Sequence, residues 1–185
     1  MKATIQSHLV LKAVDFAARK HRDQRRKDHD ASPYVNHPIA VAMLIAEVGG
    51  VQTPEILAAA LLHDTVEDTQ TTPEELELEF GVKVRQLVEE VTDDKNLPKV
   101  ARKRHQIEHA AVISEGAVLI KLGDKISNVM DVTNSPPKGW DIQRRQEYLA
   151  WAESVIANCR QANTALEQKF AEVVAQGRAA LISSS

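Results

Sequence analysis

Residues 53–68 read TPEILAAALLHDTVED, and this stretch decides the class of fold. A Thr-Pro pair is typical of a helix start, and the apolar run behind it has the length and composition of a buried helix. His63-Asp64 and Glu67-Asp68 come directly after this run. If the helix continues through them, residues four apart share a face, so that His63 lies above Glu67 and Asp64 above Asp68.

Apolar residues recur at helical spacing through almost the whole chain, and no run of alternating β-branched residues indicates a strand. This pattern predicts an all-α helical bundle. The 185 residues fit one domain, residues 1–185, that is large enough to bury a sizeable core. The predicted helices span about residues 7–22, 36–48, 53–68, 72–80, 82–91, 102–111, 118–132, 141–159 and 163–181.

Local signals mark several of the predicted helix ends. Asn36 is a good N-cap and would place His37 in the first turn of its helix, where the positive end of the helix dipole favours a neutral imidazole. Thr72 begins a capping box that Glu75 completes. Gly116 is expected to separate two helices.

Composition restricts the partners and the location to be expected. The net charge of −3 gives no reason to expect a nucleic-acid or membrane partner. No apolar stretch approaches the ~20 residues of a membrane span, and charges interrupt the apolar residues near the start of the chain, unlike in a signal peptide. The single cysteine, Cys159, fits a reducing compartment. We therefore expect a cytoplasmic protein, of an oligomeric state that the sequence leaves open.

Four residues have the chemistry of a metal site. His63-Asp64 adjoins a core run where unpaired polar groups are costly, and Asp124 lies within the apolar segment VLIKLGDKI. With His37 they supply two imidazoles and two carboxylates, a set that suits Mn, Fe or Zn better than Mg or Ca. Such an ion polarises a phosphoryl oxygen and lowers the pKa of water, which predicts a phosphohydrolase.

The motifs around these four residues resemble those of a known family. The pattern H…HD…D, carried by YVNHPI, ALLHDTVEDT and IKLGDKISN, is similar to that of the HD superfamily. Within it, DFAARKHRDQRRKD, LVEEVTDDK and RRQEYLAWA resemble the hydrolase domain of RelA/SpoT proteins. The likeness is greatest to the stand-alone small alarmone hydrolases related to metazoan SpoT homologues, and it covers about residues 8–170.

This resemblance implies an activity and a cofactor. The family hydrolyses the 3′-pyrophosphate of guanosine tetraphosphate and pentaphosphate with Mn²⁺, in an all-helical domain. The length leaves no room for a synthetase domain, so degradation alone is expected. By motif position, the metal ligands are His37, His63, Asp64 and Asp124, and Glu67 and Asp68 orient and deprotonate the attacking water. The implied substrate-binding residues are Arg26, Lys27, Tyr34 and Asn128, with weaker matches at Lys99, Arg144 and Tyr148.

Two positions depart from the family pattern, and two other functions stay open. Gly123 and Ser127 stand where an alanine and a larger residue are expected, so the Asp124 helix is expected to be locally looser and one wall of the pocket is left undefined. The same site could remove the 2′-phosphate of NADPH. The chain could also be a nucleotide-binding sensor with an inactive metal site, although Glu67 and Asp68 argue against that.

Overall fold

The computed structural model describes the backbone of residues 2–183 and the side chains of residues 7–182. Within this part of the chain the elements of secondary structure are helices, apart from an isolated bridge between Arg25 and Pro33, which confirms the predicted all-α class. Over residues 2–183, no helix combines the length and the apolar character that crossing a membrane requires. The helices are α1 Lys2–Lys20, α2 Asn36–Glu47, α3 Pro54–Leu62, α4 Thr65–Asp68, α5 Pro73–Phe80, α6 Val82–Val91, α7 Lys99–His109, α8 Glu115–Asn134, α9 Ile142–Asn158 and α10 Thr164–Ser183.

Several predicted helix ends are confirmed. Helix α6 spans Val82–Val91 as predicted. The Thr72 hydroxyl accepts a hydrogen bond from the Glu75 amide at the start of α5, and the Asp141 carboxylate accepts one from the Arg144 amide at the start of α9. These side chains satisfy amides that have no partner within the helix, which explains why the helices begin there.

The prediction of one helix over residues 53–68 was wrong, because α3 ends at Leu62 and α4 begins at Thr65. The Thr65 hydroxyl donates to the Leu62 carbonyl at 2.6 Å, and the His63 ring nitrogen Nδ1 lies 2.7 Å from the Ala60 carbonyl. The side chains of His63 and Thr65 thus form hydrogen bonds to carbonyls in the last turn of α3. These bonds compete with the main-chain hydrogen bonds that would continue the helix. The acidic pair that follows therefore lies on a separate short helix.

The prediction of Asn36 as an N-cap was also wrong. Asn36 is the first residue of α2, Val35 precedes it, and no side chain caps this end. The Asn36 amide already donates to the Pro33 carbonyl at 3.1 Å, and the His37 amide donates to the Tyr34 carbonyl at 2.9 Å. A tight turn of the main chain thus satisfies the amides that a side-chain cap would otherwise serve.

Gly116 does not separate two helices, as had been expected, but lies in the first turn of α8. The Ser114 hydroxyl caps this helix by accepting from the Ala117 amide. A Cβ atom at Gly116 would lie 2.7 Å from Leu87 Cδ2. The glycine therefore permits α6 and α8 to approach closely.

Helix α8 is at the centre of the packing and contacts α2, α3, α6, α9 and α10. Helix α3 packs against α1, α2, α6 and α8, and the residues of its apolar run from Ala58 to Leu62 are buried. Because both helices are fixed by the core, the polar side chains that they carry at Asp124 and His63 are held in place by apolar packing.

The polar loop after α1, residues 21–35, folds back on itself. The Arg26 amide donates to the Ser32 carbonyl at 2.8 Å, and the Lys27 carbonyl accepts from the Lys138 amide at 3.2 Å. The second bond joins this loop to the one between α8 and α9. Both loops thereby form a wall beside α2 and α8.

Candidate active site

The predicted metal ligands meet where α2, α8 and the junction of α3 and α4 converge. His37 Nε2 lies 3.2 Å from Asp124 Oδ1, and His63 Nε2 lies 3.1 Å from Asp64 Oδ2. Single atoms of His37, His63 and Asp124 all lie within 4.8 Å of one another. Asp64 Oδ2 is 3.8 Å from His37 Nε2 as well, so the fourth predicted ligand borders both imidazoles.

The orientation of the imidazoles fits a divalent cation. His63 Nδ1 lies 2.7 Å from the Ala60 carbonyl, which can only accept, so Nδ1 carries a proton and Nε2 is the nitrogen left to bind a cation. This Nε2 is buried and has no hydrogen-bond partner among the described residues. His37 Nδ1 lies 3.2 Å from Ser127 Oγ, which leaves its Nε2 facing the same point. Two imidazole nitrogens beside two carboxylates form a donor set of the kind that binds Mn, Fe or Zn.

Each aspartate of the cluster is held by further contacts. The Tyr34 hydroxyl donates to Asp64 Oδ2 at 2.6 Å. The Lys125 ammonium lies 3.0 Å from Asp124 Oδ2, and the Asn128 amide donates to Asp124 Oδ1. Burial by itself raises the pKa of Asp124, but Lys125 and the two histidines outweigh it and hold that pKa well below its usual range. Asp124 is therefore ionised, as a ligand must be.

Glu67 is a partly buried carboxylate on the wall of the same cleft. Its Oε2 accepts from the Asp93 amide at 3.3 Å, and its Oε1 lies 3.7 Å from the Arg102 guanidinium. Burial first, and then the charges of Asp93 and Asp64, raise the pKa of Glu67 to about 7. A carboxylate with this pKa is suited to accept a proton at neutral pH.

Asp68 has a different environment, although it is adjacent in the chain. Lys95 forms an ion pair with its Oδ1, and the Gln24 amide donates to its Oδ2 at 3.0 Å. Both oxygens are thus held by other residues. Within the predicted pair, Glu67 is therefore the carboxylate with a raised pKa, and Asp68 is the one that links the loops around the site.

Arg26 is bound to protein groups rather than free to face a substrate. Its guanidinium pairs with the Asp131 carboxylate, donates to Asn128 Oδ1 at 3.1 Å and lies over the Tyr34 ring, with 17% of its side chain exposed. Asn128 in turn donates to Asp124. These contacts favour a role for Arg26 in orienting a predicted metal ligand.

A cleft of about 380 Å³ opens in front of the cluster. It is lined by the four predicted ligands and Glu67 together with predicted substrate-binding residues. Among these, Lys27 is exposed and lines the cleft together with the cations Lys121 and Lys125, which suits a phosphorylated ligand. The members of the predicted substrate-binding set that line this cleft are Arg26, Lys27, Tyr34, Asn128 and Tyr148.

A second cavity of about 320 Å³ adjoins the cleft and contains the remaining two predicted residues, Lys99 and Arg144. The Arg144 guanidinium lies 4.4 Å from the centre of the Trp140 ring. The Tyr148 ring lies 5.8 Å from the Trp140 ring and 5.4 Å from the Trp151 ring. Lys99 and Arg144 are exposed and belong to a basic and aromatic wall of this cavity.

The sequence did not single out several residues that the structure places at the site. Asp93 and Lys125 are charged neighbours of Glu67 and Asp124, and Trp140 and Trp151 form the aromatic wall. Ser127 had been noted only as a departure from the family pattern. The two tryptophans in a chain of 185 residues were the one available signal, because rings of this size rarely lie without a partner.

An all-helical fold that brings the residues of an H…HD…D pattern into one cluster is the arrangement of the HD-domain class. The model of the family described as HD domain matches residues 13–153. A relative from Xenopus tropicalis, described as guanosine-3′,5′-bis(diphosphate) 3′-pyrophosphohydrolase MESH1, is 54% identical over 162 residues, covering 88% of this chain and 90% of that protein. The Homo sapiens protein of the same description is 52% identical over 167 residues, covering 90% and 93%.

A solved structure gives the same relationship. It is described as a metazoan ortholog of SpoT that hydrolyses ppGpp and plays a role in starvation responses. It superposes with a TM-score of 0.88 at 46% identity, covering 91% of this chain and 94% of that one. The chain therefore belongs to the HD-domain family, and within it to the MESH1 group.

Proposed function

We propose that this protein hydrolyses the 3′-pyrophosphate of guanosine tetraphosphate and pentaphosphate (ppGpp and pppGpp), releasing pyrophosphate and GDP or GTP. The observation that carries the proposal is the cluster of His37, His63 and Asp124 with Asp64 beside it, in one cleft with a glutamate whose pKa is about 7. The names of relatives about half identical over most of the chain support the same reaction.

The roles of the residues follow from their contacts. His37, His63, Asp64 and Asp124 would hold a divalent cation, which would supply positive charge to polarise a phosphoryl oxygen and lower the pKa of water. Glu67 accepts the proton of the attacking water, since its pKa is near neutrality. Asp68 holds Lys95 and Gln24 and so fixes the loops beside the reacting groups.

The adjoining wall supports binding of the rest of the nucleotide. Lys27 lies in both cavities and would neutralise phosphate charge. Lys99 and Arg144 would bind phosphates farther from the cation, and the rings of Trp140 and Tyr148 provide apolar surface for the base. The reacting phosphate and the base would thus occupy neighbouring cavities.

Mn²⁺ is the proposed cation, with Zn and Fe as alternatives, because two imidazoles and two carboxylates suit borderline divalent ions. A cytoplasmic location is proposed from the single cysteine, Cys159. The partner is a small phosphorylated nucleotide, and neither a nucleic-acid nor a membrane partner is proposed.

A direct test incubates the purified chain and Mn²⁺ with guanosine tetraphosphate, guanosine pentaphosphate and NADPH, and measures released pyrophosphate and phosphate separately. We expect pyrophosphate from the two guanosine compounds, and none from a His63→Ala variant. Phosphate from NADPH alone would make the chain a 2′-phosphatase. Binding of the guanosine nucleotides without any release would make it a sensor, and either result would overturn the proposal.

A further inference from the structure

The two imidazoles of the cluster have chemically different partners on the side away from the site. His63 Nδ1 lies 2.7 Å from the Ala60 carbonyl, whereas His37 Nδ1 lies 3.2 Å from Ser127 Oγ. Both histidines and Ser127 are buried, so solvent does not substitute for either partner. The orientation of each ring therefore depends on one specific protein atom.

A carbonyl and a hydroxyl constrain an imidazole differently. A carbonyl only accepts, so His63 has its proton on Nδ1 whether or not a cation is present. A hydroxyl both donates and accepts, so Ser127 permits either neutral tautomer of His37. With the proton on Nε2, His37 can donate to Asp124 Oδ1, 3.2 Å away. With the proton on Nδ1, Ser127 accepts it and Nε2 is free to bind a cation.

We propose that Ser127 is a positioning residue that holds His37 in the tautomer that binds the cation, and so determines how tightly the cation is held. The proposal rests on the proposed metal-dependent function. Partners of this kind behind a metal-binding histidine typically contribute 10- to 100-fold, roughly, to metal affinity.

The packing of α2 against α8 explains why a small residue occupies this position. Gly123 lies one turn before Ser127 on α8, and a Cβ atom there would be 3.0 Å from Ile45 Cγ1 and 3.1 Å from Val41 Cγ1. Val41 lies one turn after His37 on α2. The absent side chain at Gly123 therefore allows α2 to approach α8 so closely that a short hydroxyl reaches the ring. Gly123 and Ser127, the two departures from the family pattern, act together in this contact.

The test measures the dissociation constant of Mn²⁺ for the chelator-treated protein by titration, without substrate. Ser127→Ala should weaken Mn²⁺ binding by roughly 10- to 100-fold. Ser127→Thr, which restores a hydroxyl, should bind within a fewfold of the parent. Thr133→Ala is the matched control, because the Thr133 hydroxyl lies on the same helix but donates a hydrogen bond to the Val129 carbonyl. It should leave Mn²⁺ binding unchanged.

Thermal unfolding separates positioning from a general loss of structure. Ser127→Ala should lower the Tm of the Mn²⁺-loaded protein and leave the Tm of the metal-free protein close to that of the parent. Mn²⁺ binding by Ser127→Ala within twofold of the parent, or an equal loss of Tm with and without Mn²⁺, would overturn the role assigned to Ser127. A parent that binds no divalent cation would instead overturn the proposed function.

Discussion

At the scale of single residues, Glu67 is the side chain whose loss should change the reaction most. Glu67→Gln removes the proton acceptor and should lower kcat by roughly 10²–10⁴-fold. Mn²⁺ binding should be retained. Steady-state kinetics with pyrophosphate detection, together with elemental analysis of the variant, measures both. A kcat within a fewfold of the parent would show that Glu67 is not the base.

The same substitution has a predicted effect on stability. Because the pKa of Glu67 is raised to about 7 in the folded protein, the stability that its protonated form provides is lost as the pH rises through that value. At pH above 7 the buried, charged carboxylate lowers the stability of the folded protein. Glu67→Gln should therefore stabilise the metal-free protein by up to about 2 kcal/mol. Asp68→Asn should instead be slightly destabilising, since it weakens the contacts to Lys95 and Gln24. Denaturant unfolding of both variants tests this contrast.

Asp93 should control the pH dependence of the reaction. Burial is the main cause of the raised pKa of Glu67, and the charge of Asp93 is the second. A base acts when deprotonated, so activity is lost as the pH falls through its pKa. Asp93→Asn lowers that pKa and should move the acidic limb of kcat/KM to lower pH. The control is Asp94→Asn at the exposed neighbouring position, which should leave the limb in place.

At the scale of elements, the loop of residues 21–35 contains two adjacent cations with different roles. Lys27→Ala should raise KM with little change in kcat, because an exposed lysine at the cleft binds ground and transition states alike. Arg26→Ala should instead lower kcat, because Arg26 holds Asn128 and through it Asp124. Kinetics of both variants, with Arg22→Ala as a control for charge, distinguishes these roles. If Arg26→Ala raises KM as much as Lys27→Ala does, Arg26 binds the substrate instead.

The contact between α2 and α8 gives a prediction about Gly123. Within an isolated helix, Gly123→Ala would be favourable by about 1 kcal/mol. Here the new methyl group meets Ile45 Cγ1 at 3.0 Å, and overpacking of this kind typically costs about 1–3 kcal/mol. We expect net destabilisation in denaturant unfolding. In an Ile45→Ala background the same substitution should become less destabilising, since only the contact with Val41 Cγ1 at 3.1 Å remains. A stabilising effect in the parent itself would contradict the close packing of α2 against α8.

At the scale of the whole molecule, the cation should link helices from distant parts of the chain. His37, His63 and Asp124 come from α2, the end of α3 and α8, so a bound ion adds contacts that only the folded state provides. The purified protein should contain about one divalent ion per chain, and a chelator should lower its Tm. His63→Ala and Asp124→Ala should lose the metal in elemental analysis. Full metal content in both variants would show that the ligand set is wrong.

The assignment of residues 1–185 to a single domain stays a prediction.

The sequence by itself determined the all-α class, most helix positions and the four candidate ligands. Helical periodicity, capping residues such as Thr72 and the H…HD…D motif are local patterns that do not depend on which helices become neighbours. The break between α3 and α4 was missed, because it depends on hydrogen bonds from His63 and Thr65 to carbonyls that the continuous apolar pattern does not reveal.

Only the tertiary structure decided which role each candidate residue has. Glu67 and Asp68 are neighbours in sequence, yet one is near Asp93 and the other is held by Lys95. Ser127 lies 90 residues after the histidine it contacts. Hydrogen bonds, burial and pKa shifts depend on distances in space, and these distances are fixed only when α8 packs against α2 and the loops close over the cluster.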